Sequence, residues 1–285
     1  MTRIGTRGSA LALAQARWVA ERLAEPAEIV EIATSGDRGE RLLDKSRWTS
    51  ELEQALLECR IDVAVHSAKD VPGELAPGTE IAAVPAREDP ADVLCGADSL
   101  GSLPVGAQVG TSSLRRAAQL RAVREDLRIV ELRGNVDTRL RKLAAGEVDA
   151  LVLAAAGLRR LGRQAEAGGV LAELVPAPGQ GALVLQTRAG EASAVRPLAD
   201  PEAESCVLAE REFARGIGAS CNTPVGASAT IARPGVVELR AWVGLPDGSE
   251  WISDSATAPA GEVGAIVARR MLAVGAGALL QEASR

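Results

Sequence analysis

Up to about residue 200, short apolar runs of strand length alternate with stretches of helical periodicity, and this alternation restricts the fold more than any other feature. Residues 29–33, 61–65, 105–109, 129–132, 150–154 and 182–186 read as strands. Residues 9–24 read as a helix, because Ala12, Ala16, Val19 and Leu23 form one stripe. Strand–helix alternation implies βαβ units and mostly parallel sheets. A polar stretch between Pro85 and Pro90 closes the first unit, and a similar set follows. The expected class is therefore α/β: two βαβ domains hinged near residues 85–90, with a cleft between them.

Beyond residue 200 the pattern changes. A helix over 202–215 precedes an alternating run, Val237, Leu239, Ala241 and Val243, and then Leu245-Pro-Asp-Gly-Ser249 before Trp251. A Pro-Asp-Gly turn between such runs marks an antiparallel hairpin. Residues 261–282 read as one helix packed on that sheet, completing a small C-terminal α+β domain. The expected division is 1–86 with 182–198, then 90–176, then 200–285, and a chain of 285 residues that is 47% hydrophobic can fill three such cores.

Charge and cysteine content narrow the function. A net charge of −6 argues against a general nucleic-acid surface. No apolar run reaches the roughly 20 residues of a bilayer helix, and the start Met1-Thr-Arg-Ile-Gly lacks an export pattern, so neither membrane nor secretion is expected. Cys59, Cys95, Cys206 and Cys221 form no CxxC pair and His66 is the only histidine; four free thiols in a cytoplasm are expected rather than a metal cage. Of 32 basic residues only Lys45, Lys69 and Lys142 are lysine, leaving 29 Arg, whose planar fork matches carboxylates. A GC-rich genome accounts for the total, so position must carry the meaning.

The Arg residues gather where strands run into helices, the places where open α/β sheets bind ligands. Thr6-Arg-Gly-Ser9, Gly110-Thr-Ser-Ser-Leu-Arg-Arg116 and Arg133-Gly-Asn135 each combine a hydroxyl or amide with Arg. Each Ser is equally suited to capping a helix, but Arg at a helix start opposes the helix dipole, and three recurrences point to a ligand with several anionic groups. Arg139, Arg159 and Arg160 extend that surface, with Arg159 as suited to water. After residues 61–65 one strand-end loop holds Ser67, Lys69 and Asp70, suited to acid–base work or to stabilising a cation, or else a loop ion pair. His66 reads as a packed, hydrogen-bonded residue, and Cys59 and Cys95 as buried. Cys221, in Gly218-Ala-Ser-Cys-Asn-Thr-Pro-Val-Gly226, sits in a loop able to present a thiol for covalent attachment.

Six segments, in order, resemble the porphobilinogen deaminase family: Ile4-Gly-Thr-Arg-Gly-Ser9, His66-Ser-Ala-Lys-Asp-Val-Pro72, Gly110-Thr-Ser-Ser-Leu-Arg-Arg116, Leu132-Arg-Gly-Asn-Val-Asp-Thr-Arg139, Pro178-Gly-Gln-Gly-Ala182 and Ser220-Cys-Asn-Thr-Pro-Val-Gly226. The resemblance implies two periplasmic-binding-protein-like domains and a third carrying a cofactor cysteine. It implies a dipyrromethane joined by a thioether to Cys221 and held by Ser67, Lys69, Ser113, Arg115, Arg116, Arg133, Gly134 and Arg139. It further implies porphobilinogen bound by Arg7, Ser9, Gln15, Arg133, Arg139 and Arg160, with Asp70, aided by Lys69, as the catalytic carboxylate. The implied reaction condenses four porphobilinogen molecules, with loss of ammonia, into a linear hydroxymethylbilane, in a cytoplasmic monomer that hands its product to uroporphyrinogen-III synthase.

Two positions depart from the family pattern. Residues 36–50 are shorter than the loop the family uses as a lid, with Trp48 either replacing its Phe or stapling the helix that starts near Thr49. Ala68 replaces a larger residue. A two-lobed solute-binding module and a diverged relative in a specialised pyrrole pathway are the competing interpretations.

Overall fold

The computed structural model describes residues 1–36, 48–220 and 223–284. In chain order the strands are β1 (Thr2–Thr6), β2 (Ala27–Glu31), β3 (Val63–Ser67), β4 (Thr79–Ala83), β5 (Asp92–Cys95), β6 (Gln108–Gly110), β7 (Arg128–Val130), β8 (Ala150–Ala154), β9 (Gly169–Val170), β10 (Leu183–Arg188), β11 (Val225–Arg233), β12 (Val236–Gly244) and β13 (Trp251–Pro259). The helices are α1 (Ala10–Ala20), α2 (Ser50–Leu57), α3 (Leu114–Val123), α4 (Val136–Ala144), α5 (Ala155–Arg160), α6 (Pro201–Gly216), α7 (Val263–Ala273) and α8 (Ala276–Ala283).

The first lobe is built on the sheet β2-β1-β3-β10-β4 and the second on β7-β6-β8-β5-β9. In each, three strands are parallel, as the βαβ pattern predicts. The fourth, β10 or β5, runs antiparallel to both of its neighbours. These two strands arrive from the opposite lobe, one after residues 84–91 and the other after 171–182. Adjacent runs were therefore not enough to reveal direction, and the expected mostly parallel sheets are mixed. The expected strand 105–109 is trimmed at its start: Ala107 N–H donates to the Pro104 carbonyl at 3.2 Å, Gly106 takes φ +75, and Val105 is 89% exposed in that turn.

The third sheet, β11-β12-β13, is antiparallel throughout. Its core joins Ala227, Val237, Leu239 and Ala241 to Phe213 of α6, Val267 and Met271 of α7 and Leu279 of α8. Burying Phe213 in full contributes about 2 kcal/mol. The expected single helix over 261–282 is two helices, bent by 81° at Gly275. Gly275 has φ +105, a conformation open to glycine that breaks the helical path and returns α8 to the sheet.

Candidate functional site

Strand ends assemble the site. β1 and β3 are parallel neighbours, so Arg7, just after β1, and Ser67, the last residue of β3, leave the sheet on the same side. Arg7, Ser9, Gln15, Ser67 and Asp70 line one cavity of about 70 Å³ together with Leu11, Ala12, Val65, His66 and Trp48. Ser9 caps α1, its hydroxyl accepting from Ala12 N–H at 3.3 Å. Gln15 is buried on the inner face of α1 and donates through Nε2 to Ser67 Oγ at 3.0 Å. The Arg7 guanidinium lies 3.9 Å from the centre of the Trp48 ring, a cation–π contact. That ring fills the space where a Cβ on Gly36 would stand.

Lys69 and Asp70 follow in a 3-10 turn, residues Ala68–Asp70. Its entry is fixed by Ala68 N–H, which donates to the Ala182 carbonyl at 3.0 Å. Gly179, at φ +78, packs so tightly that a Cβ there would stand 2.9 Å from Ala68. Burial pushes the Lys69 ammonium down to about 8, and Arg116 of the second lobe lowers it further while Asp70 opposes the shift. Burial also lowers Arg139, with Arg116 as the second cause. Arg116 thus bears on both Lys69 and Arg139, while Asp70 and Asp92 offset part of the charge at Lys69. The donor set fits a group bearing several carboxylates.

The second-lobe candidates divide by environment. Ser113 caps α3, accepting from Arg116 N–H at 3.4 Å. Arg115 and Arg116 are interior, each 5% exposed, and share Asp92 at 2.7 and 2.8 Å. Arg115 also donates to the Val175 carbonyl and Arg116 to that of Val152. Desolvation would raise Asp92, but the two guanidinium groups outweigh it and hold its carboxyl well below the usual range. Arg139 donates to the Gly134 carbonyl and to Ser112 Oγ, both at 2.8 Å. Gly134 has φ +119, and a Cβ there would meet Thr138 at 2.8 Å. Arg133 is open to water and paired with Glu131 at 2.7 Å. Arg160 donates to the Gly181 carbonyl at 2.7 Å and is lowered to about 10 by burial. Arg159 is exposed, as suited to water, and pairs there with Glu88 and Asp89 on the first crossing.

Cys221 and residues 37–47 lie outside the described residues. Of the other cysteines, Cys95 and Cys206 are buried, which pushes both thiols up to about 11. Cys59 was expected to be buried and is exposed, because α2 ends at Leu57 and the chain turns at Cys59 with φ +56. His66 is buried as expected, but its Nε2 has no hydrogen-bond partner.

Three charged residues that the sequence reading passed over tie the lobes together. Asp92 opens an apolar strand, and Glu210 occupies a core position of α6 in the stripe Ala203, Cys206, Val207, Glu210 and Phe213; a charge in an apolar pattern was the available signal. Glu210, with no exposed surface, accepts from Arg87 on the first crossing, Gly179 N–H on the second and Ala229 N–H of β11. Arg211 reaches the loop that follows Asp70. A wider depression of about 560 Å³ on the third domain is lined by Glu250 and Glu282 with no Arg or Lys, and so is ill suited to an anion.

Two α/β lobes joined by two crossings, with cations converging on one carboxylate and a third domain gripping the crossings, define a two-lobed enzyme for a polyanionic ligand. Family models described as "Porphobilinogen deaminase, dipyromethane cofactor binding domain" and "Porphobilinogen deaminase, C-terminal domain" match residues 2–196 and 204–273. The chain belongs to the porphobilinogen deaminase family. It is 46% identical to a porphobilinogen deaminase of Deinococcus deserti and 46% identical to one of Thermus thermophilus, each alignment covering 98% of this chain and 98% of the relative. Among solved structures, a periplasmic substrate-binding protein of an ABC transporter from Coxiella burnetii is similar at 16% identity and TM-score 0.41, over 69% of this chain and 88% of its own.

Proposed function

We propose that this chain performs its family's reaction, the deaminating condensation of four porphobilinogen molecules to linear hydroxymethylbilane, around Asp70, with dipyrromethane attached at Cys221. The observation that carries the assignment of roles is the shared cavity: Asp70 stands with Arg7, Ser9, Gln15 and Ser67 in one recess, next in sequence to the half-buried Lys69. When bound, dipyrromethane supplies a free pyrrole α-carbon as nucleophile. Ser67, Lys69, Ser113 and Arg139 hold its carboxylates, Arg115 and Arg116 back them through Asp92, and Arg133 stands at the exposed rim.

Arg7, with Ser9 and Gln15, binds the acetate and propionate of incoming porphobilinogen, and Arg160 serves the same charges from the second lobe. Ammonia leaves with the electron pair of the carbon–nitrogen bond, and the Asp70 carboxylate stabilises the cation that remains on the substrate. The new carbon–carbon bond forms at that cation, and Asp70 takes the proton lost from the pyrrole α-carbon that attacks it. Leu11 of α1, in the lining of the recess, stands beside Gly157 of α5, and this contact between the lobes helps to exclude water while the chain grows.

Asp70→Asn tests the assignment. Intact mass should still show the dipyrromethane adduct, while turnover falls by about 10²-fold or more, the scale of losing an electrostatic stabiliser; near-normal turnover would remove Asp70 from its role. Cys221→Ser should yield protein without the adduct. The proposal also covers a cytoplasmic monomer that passes its product to uroporphyrinogen-III synthase, with assembly state and hand-over checked by sedimentation with and without that synthase.

A further inference from the structure

The loop after the catalytic turn, Val71-Pro-Gly73, has three consecutive carbonyls that receive no backbone hydrogen bond among the described residues. Pro72 lacks an N–H, and the segment belongs to no strand or helix, so ladder pairing is not open to it. Val71 is buried, Pro72 half-buried and Gly73 exposed, so a side-chain donor here fixes the path of the loop as well as pairing its inner carbonyl. One side chain from another domain supplies it. Arg211, one residue beyond the Glu210 clamp on α6, donates Nη1 to the Val71 carbonyl at 3.3 Å and Nη2 to those of Pro72 at 2.7 Å and Gly73 at 3.1 Å. No carboxylate lies within ion-pair distance of it among the described residues, so its planar fork is spent on the loop. Its neighbour Arg215 packs its stem over Gly73, where a Cβ would stand 3.3 Å from Cγ. The turn itself is short and self-supported only by Val71 N–H donating to the Ala68 carbonyl at 3.2 Å. Its entry is held by Ala182 and Gly179, and its exit by Arg211.

We propose that Arg211 is a positioning residue for the reaction: from the domain that carries Cys221, it fixes the exit of the Ala68–Asp70 turn and so sets where the Asp70 carboxylate stands relative to the substrate cation. This rests on the assignment of Asp70 above. An Arg fork can hold adjacent carbonyls at once, whereas a Lys ammonium is a point donor that holds fewer with less directional control. Arg211 does not line the cavity that holds Asp70, so its loss should act on the chemical step, where a small displacement of a charged group is costly, and leave substrate affinity nearly intact.

Arg211→Met, Arg211→Lys and Asp70→Asn would be prepared as holoenzyme, with dipyrromethane occupancy counted by intact mass so that rates refer to loaded protein. With porphobilinogen as substrate, Arg211→Met should lower kcat about tenfold or more while KM stays within about twofold, and Arg211→Lys should recover part of the loss. The proposal is overturned by an unchanged kcat per loaded enzyme, or by a change confined to KM. Should Arg211→Met fail to fold, Arg211→Lys, which keeps stem and charge, decides alone: a wild-type kcat refutes the role, and a several-fold fall with unchanged KM and melting temperature supports it. Asp70→Asn separates the two claims. If it loses turnover while the Arg211 variants do not, only the positioning role falls; if it turns over normally, the assignment of Asp70 falls and the positioning role with it.

Discussion

His66 is the only histidine in the chain, so its titration can be followed without assignment. It is 5% exposed at the end of β3, facing Gln186 of β10 and Glu53 of α2, with Asp70 and Arg7 near enough to act on it. Burial dominates and lowers its pKa to about 4, against the pull of Glu53, Gln186 and Asp70. The folded protein therefore keeps a neutral imidazole, while the unfolded chain protonates near 6.5. Stability from this group is complete above pH 6.5 and is lost as pH falls from 6.5 to 4. One pKa unit corresponds to 1.36 kcal/mol, so the whole window is worth about 3 kcal/mol, of which about 2 kcal/mol is gone by pH 5. In tag-free protein a single imidazole C–H proton resonance should stay at its neutral position at pH 5. Urea unfolding should show the wild type losing about 2 kcal/mol between pH 7 and pH 5 relative to His66→Gln, which has no imidazole to titrate. A resonance that titrates near 6.5, or identical pH slopes for the two proteins, would refute the reasoning.

Other outcomes follow from the same geometry. Asp92→Asn leaves Arg115 and Arg116 buried without their shared counter-charge, and should cost about 3–5 kcal/mol in urea unfolding at neutral pH. Gly179→Ala places a methyl group at φ +78 against Ala68; it should destabilise by about 1–3 kcal/mol and lower kcat per loaded enzyme, because the strain falls on the turn that carries Asp70. Lys69, with its pKa near 8, loses its charge as pH rises through that value, so KM for porphobilinogen should climb above pH 8; Lys69→Met should show a raised KM that no longer varies there. Arg139→Leu should impair primer assembly or elongation more than Arg133→Leu, since Arg139 is half-buried and held on Gly134 and Ser112 whereas Arg133 is exposed and paired with Glu131; equal rates in both variants would place Arg139 on the solvated surface.

The sequence by itself determined the layered α/β architecture, the hairpin of the third domain and the strand-end placement of Arg7, Ser67, Lys69, Asp70 and Ser113. Those features depend on periodicity, turn chemistry and capping, which act over a few residues. It also marked Cys221 by its loop and family motif. Tertiary structure alone decided which way β5 and β10 run, because direction depends on the long crossings that deliver them rather than on their own residues. It decided that Arg115 and Arg116 turn inward to Asp92 although their neighbours at strand ends look alike in sequence, since burial of a guanidinium is settled by a partner 23 or more positions away. It placed the ring of Trp48 under Arg7 and Arg211 on the loop after Asp70. These contacts join residues distant in the chain, and local pattern holds no record of which distant group supplies a missing donor or counter-charge.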